Sequence, residues 1–151
     1  MKRQRLPAKG ARQLGVAAVE FAVLLPLLIV LITAPLFFGR VLWHYTVAQK
    51  AAHDGARYLA TVSEAELRTA ALAPAAVAVA RDIVAAELAD LNPGPTPPNI
   101  SVLCDTSLCG GVVLPTNVRV GVQIEMSGPF AYAGDGWPIM VEVQMRYMGT
   151  K

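Results

Sequence analysis

From Phe21 to Gly39 the chain carries no charged side chain, and this block follows closely on a basic terminus. A helix from Val16 to Gly39 would be roughly 36 Å long at ~1.5 Å per residue, enough to cross a hydrocarbon core of about 30 Å. Pro26 and Pro35 interrupt the run. A buried soluble helix tolerates such prolines poorly, whereas a membrane helix accepts them at the cost of a kink and some lost hydrogen bonds. The block therefore predicts one membrane span. A single carboxylate, Glu20, sits one turn inside it. Lipid penalises a lone charge heavily, so Glu20 is a functional candidate. The plainer reading is a signal-anchor helix whose Glu20 lies near the headgroups.

The net charge of +2 hides an asymmetry. Lys2, Arg3, Arg5, Lys9 and Arg12 give +5 before Gly15, and the remainder sums to −3. That pattern predicts a cytoplasmic basic end and a translocated C-terminal region. A basic arm for nucleic acid is the competing reading, and the adjacent membrane-length helix argues against it. A removable secretory signal is also disfavoured. The apolar block exceeds the usual signal core of about 7–15 residues, and the nearest small-residue site ends at Ala34, directly before Pro35. The segment is expected to remain in the protein.

Arg40 to Val62 reads as an amphipathic stem helix. Val41, Tyr45, Ala48, Ala52, Ala56 and Leu59 form a narrow stripe whose alanines suggest close helix contact. Lys50 with Asp54 and Asp54 with Arg57 are expected surface pairs. Trp43 and Tyr45 suit the outer headgroup belt. Ser63 and Glu66 form a capping-box pattern opening a second helix that runs to about Leu91, bent or broken near Pro74. Its expected buried stripe is Val77, Ala80, Val84, Leu88 and Leu91. The Pro- and Gly-rich stretch 92–98 ends helix formation.

Beyond it the period changes to two. Ile100, Val102 and Cys104 alternate, less cleanly because of Leu103. Val118, Val120, Val122, Ile124 and Met126 alternate with polar residues and Gly121, as do Val141, Val143, Met145 and Tyr147 with polar residues. Three strands of this kind, the last two joined by a loop from Ser127 to Pro138, predict a small antiparallel sheet covered on its apolar face by helices. The fold class expected is α+β.

Cys104 and Cys109 enclose a short loop. If this region lies outside the cytoplasm a disulfide is the expected state, with inert thiols as the alternative. Metal binding would need further ligands, and the region holds no histidine. His44 and His53 fall on opposite sides of a continuous helix and are expected to be solvated. Glu64, Glu66 and Asp82 read as capping or surface groups. No phosphate loop and no nucleophile elbow is present. Neither a cofactor, a metal, a small-molecule substrate nor an enzymatic activity is expected.

The segment Leu14-Gly15-Val16-Ala17-Ala18-Val19-Glu20-Phe21-Ala22-Val23-Leu24-Leu25-Pro26 resembles the opening of TadE-like pilus proteins, pseudopilins of the tight-adherence (Flp, type IVb) apparatus. Ala51-Ala52-His53-Asp54-Gly55-Ala56-Arg57-Tyr58 looks like that family's stem motif, with Asp54 where glutamate is more usual. The likeness covers roughly residues 13–60. It implies a pilin-like chain: leader 1–15, membrane and assembly helix 16–39, stem 40–62, and an α+β head 63–151 outside the cytoplasm. It further implies cleavage by a prepilin peptidase between Gly15 and Val16, with Glu20 and Phe21 serving assembly with other pilins. A minor pseudopilin of the bacterial inner membrane is the expectation. An uncleaved bitopic scaffold of the secretion machinery is the alternative, and membrane lipid is a partner in both.

Overall fold

The computed structural model describes residues 13–91, 96–110, 113–127 and 136–149. Most of the expected leader, part of the proline-rich stretch and most of the last interstrand loop lie outside the described residues. The chain divides into two compact units between Gly39 and Arg40. Helix α1, Gln13–Thr61, contributes to both.

The first unit is helical, and its large apolar side chains from Val16 through Phe38 are exposed, apart from the half-buried Phe37. Pro26 and Pro35 lie inside the helix and remove two backbone donors. Thr33 Oγ1 donates to the Ile29 carbonyl at 2.7 Å, the back-bonding by which a hydroxyl is accommodated in an apolar helix. An apolar surface of this length, interrupted by the single charge of Glu20, suits lipid and not water, so the segment has the character of a single-pass membrane anchor.

The second unit is built on the other end of α1. Its buried face comprises His44, Ala48, Ala51, Ala52, Gly55, Ala56, Leu59 and Ala60. This face is rotated from the expected stripe at its start: Tyr45 is exposed and His44 is buried. The expectation that His44 is solvated is therefore wrong. Small residues let α1 approach its neighbours closely. A Cβ built on Gly55 would lie 2.6 Å from Val84 Cγ2 and 3.7 Å from Val120 Cγ1.

Helix α2, Glu64–Arg68, starts at a capped Ser63 whose Oγ accepts from the Glu66 N–H at 3.3 Å. The Glu66 carboxylate accepts from the same hydroxyl at 2.9 Å and does not reach back to the backbone as the reciprocal box would have it. The expected second helix is thus two helices. The chain breaks at Thr69–Leu72, and α3, Ala73–Leu88, carries Pro74 in its first turn, where a missing N–H costs nothing. Its buried stripe is Ala73, Ala76, Ala80, Val84 and Leu88. Ala76 takes the place expected of Val77, and Leu91 is half-buried in a closing 3-10 turn.

Strands β1 (Asn99–Cys104), β2 (Asn117–Met126) and β3 (Trp137–Arg146) form an antiparallel sheet in the order β1-β2-β3. The alternation read from sequence sets the register. Val118, Val120, Val122, Ile124 and Met126 are all buried, and Val120 faces Val102 on one side and Val143 on the other. In β1 only Val102 is buried, with Ile100 and Cys104 half-covered. After β3 the chain is tied to the end of α1, the Met148 N–H donating to the Ala60 carbonyl at 2.9 Å. Tyr147 Oη donates to the Val62 carbonyl at 2.8 Å and packs on a small core of Val62, Leu67, Ala73 and Ala76.

This packing can be tested at two points. Gly55→Leu drives a side chain into Val84 and lowers stability by about 1–3 kcal/mol, whereas Gly39→Leu meets open space. Thermal unfolding of the purified chain in detergent should separate the two. Burial, reinforced by the nearby Glu64, raises the Tyr147 hydroxyl above its ordinary value of 10.0. The folded state thus favours the protonated phenol, and the resulting stability is complete below pH 10 and lost as the pH rises through the folded value. Tyr147→Phe should lose about 0.5–1.5 kcal/mol near neutrality and show a shallower alkaline decline in urea titrations.

Candidate processing segment and head loop

Gly15, Val16, Glu20 and Phe21 all fall in the opening turns of α1 and are exposed. Nothing lies within 4 Å of where a Gly15 Cβ would stand. The first N–H groups of a helix lack intrahelical acceptors, so a bond near a helix start is released at less cost than one further in. Val16 and Glu20 are one turn apart on one face, roughly 6 Å along the axis at ~1.5 Å per residue. Glu20 has no ion-pair partner among the described residues.

The stem pairs differ in detail from expectation. Asp54 lies 3.7 Å from Lys50 Nζ, as its spacing suggests, but its other oxygen is near His53 and not Arg57. Lys50 also binds Glu87 of α3 at 2.5 Å. That carboxylate raises the Lys50 ammonium above its ordinary value of 10.5. The pair is exposed and screened, so it orients α3 on α1 more than it stabilises either.

At the other end of the head, Cys104 and Cys109 are joined by a disulfide with Cα atoms 4.9 Å apart. The turn between them is held twice over. Cys104 and Ser107 exchange both backbone hydrogen bonds, at 2.8 and 3.1 Å. Asp105 adopts a left-handed φ of 56°, and its carboxylate accepts from the N–H groups of Thr116 (3.0 Å) and Asn117 (2.9 Å). Its own N–H donates to the Asn117 carbonyl at 2.8 Å. Asp105 is the structural residue that sequence reading passed over. Its signal was an aspartate directly after a strand, since short acidic and amide side chains tolerate left-handed backbone and cap nearby N–H groups. A cavity of about 250 Å³ beside this loop is lined mainly by Leu67, Leu108, Val113, Leu114 and Pro115. The one carboxylate there, Asp105, is committed to backbone, so the cavity presents no acid–base pair.

His44 is 4% exposed. Its Nδ1 lies 2.8 Å from the Arg40 carbonyl, which makes Nδ1 the donor in that hydrogen bond. Nε2 has no partner among the described residues. The periodic reading missed it because an imidazole scores as polar in a stripe otherwise made of alanine.

The fold and these features define a class: a chain with a membrane-type apolar helix and a small pilin-like α+β head. Within it, residues 15–57 match the sequence model of the family described as TadE-like protein. The match spans both Glu20 and the Asp54-Gly55-Ala56-Arg57 stretch, so the resemblance read from these residues holds. No curated protein and no solved structure matches the chain.

The Asp105 cap generates a prediction. Asp105→Ala removes the two charge-assisted hydrogen bonds that offset the left-handed backbone at this position, so stability should fall by about 1–3 kcal/mol. Asp105→Asn, which keeps one acceptor and tolerates that φ, should lose less. Urea unfolding with the disulfide intact reads the difference.

Proposed function

We propose that the chain is a minor pseudopilin of a tight-adherence pilus, with a structural and not a catalytic role. The observation that carries the reading is the family match over residues 15–57, which includes the membrane-type helix and its single carboxylate. On this reading a prepilin peptidase cuts between Gly15 and Val16 at the cytoplasmic face. Leader, membrane helix, stem and head then correspond to residues 1–15, 16–39, 40–62 and 63–151. The head lies outside the cytoplasm, where the Cys104–Cys109 bond would persist.

Glu20 serves assembly. Cleavage would create an α-amino group at Val16, and a neighbouring subunit shifted along the helix axis could bring its amine beside this carboxylate. Pairing the two in a water-poor bundle avoids the penalty each meets alone. Removing one partner of a buried pair costs about 3–5 kcal/mol, which weakens a contact by roughly two to three orders of magnitude. Phe21, exposed beside it, would add apolar contact to the same neighbour.

Two substitutions test this in the native host. Gly15→Leu should leave the full-length form in the membrane, because a branched side chain blocks approach to the bond. Glu20→Gln should be inserted, cut and folded normally, yet fail to crosslink to pilus partners or support piliation. A wild-type chain that retains its leader, identified by mass spectrometry of its N-terminal peptide, would favour the uncleaved scaffold. Normal pili with Glu20→Gln would remove the assembly role.

A further inference from the structure

The two edges of the sheet are not equivalent. Helix α3 lies close to β1, while β3 has no element but β2 within strand-pairing distance among the described residues. β3 is ten residues long and pairs with β2 without a bulge. Natural sheets protect a free edge with inward charges, bulges, short strands or proline. Here the charged residues Glu142 and Arg146 are on the outer face, and Pro138 sits near the start of the strand. The apolar face of β3 is also incompletely covered. Val118, Val120, Val122 and Ile124 of β2 are at most 2% exposed, whereas Val143 and Met145 of β3 are only half-buried. The edge and its underside are both unfinished at the same place, the second half of β3.

We propose that this edge docks a second copy of the chain, β3 pairing antiparallel with its twin about a two-fold axis at Gln144. The charge pattern selects the occupant and the register. Opposite residues in an antiparallel pair share a face, and an axis at Gln144 sets Glu142 of each copy against Arg146 of the other. Two opposite-charge pairs form by symmetry. Arg146 has no ion pair among the described residues, and Glu142 is held by Arg119 Nε at 3.1 Å through one oxygen, leaving the other for a second guanidinium. The same register sets Val143 against Met145 on the inner face, so the half-buried pair from each copy meets its counterpart. Pro138, which cannot donate a backbone hydrogen bond, stays outside the stretch 142–146. A three-stranded sheet becomes a continuous six-stranded one. The inference concerns the head alone and stands whether or not the chain is cut at Gly15.

The test uses the full chain in isolated envelopes. Gln144→Cys places two thiols directly opposite across the axis, and mild oxidation should yield a covalent homodimer on non-reducing gels. Gln123→Cys, on the outer face of β2, should remain monomeric. Glu142→Arg in the Gln144→Cys background sets like charges opposite one another and should cut dimer yield by about fivefold or more. Adding Arg146→Glu should restore it. These positions are on the outer face of the sheet, and an unchanged far-UV spectrum of each full-length variant purified in detergent confirms that it folds. Absence of the covalent dimer with Gln144→Cys, failure of the double charge reversal to restore it, or capture of a different protein by the introduced thiol would each overturn the proposal. The last outcome would mean that a partner's strand, not a second copy, completes the sheet.

Discussion

The head depends on how closely α1 can approach two other elements at one point. At Gly55 a side chain as small as a methyl would lie 2.6 Å from Val84 of α3 and 3.7 Å from Val120 of β2. Helix, helix and sheet therefore converge where the chain has no side chain. Ala48, Ala51, Ala52 and Ala56 are fully buried on the same face and keep the separation small along the helix. Every apolar residue that fills the core, Leu59, Val84, Leu88 and the inner side of β2, is positioned by that approach. Packing at this density leaves no slack for an added side chain, and a larger residue would push α1 off both neighbours at once.

This contact gives a physical account of the stem motif. Within Asp54-Gly55-Ala56-Arg57-Tyr58, Gly55 and Ala56 are set by packing, and Tyr58 lies against the cluster under the C-terminal strap. Asp54 closes a pair with Lys50, which in turn reaches Glu87 on α3. Four of the five positions thus hold the stem to the head. Arg57 alone is exposed and has no ion pair among the described residues.

The parts of the fold legible in the sequence were those governed by a single strong period. The uncharged run that forms the first half of α1, and the two-residue alternation of β2 and β3, each point to one structure because burial forces the pattern. The serine cap and the proline at the start of α3 were legible for the same reason, since each residue type has one favourable place. What escaped was decided across the chain. The rotation that buries His44 and exposes Tyr45 depends on what α1 packs against, and alanines tolerate either phase of the stripe. The break before α3 was legible from Pro74, although its place at Thr69–Leu72, set by local hydrogen bonds to the Thr69 and Leu72 carbonyls, was not. Asp105 closes a contact to Thr116 and Asn117, residues too distant in sequence to show themselves.

The site shows the same division. Position within an apolar helix marks Glu20 without any tertiary information, because lipid makes any charge conspicuous. The disulfide loop is different. Two cysteines five residues apart could close a loop of many shapes, and a covalent bond across so few residues removes little unfolded-state entropy. The shape comes from the hydrogen bonds around it. Asp105 holds the strand that follows, Ser107 folds back on Cys104, and Leu108 is left 73% exposed at the tip. The bond thus adds little to global stability and, with the hydrogen bonds around it, fixes the local shape of the turn.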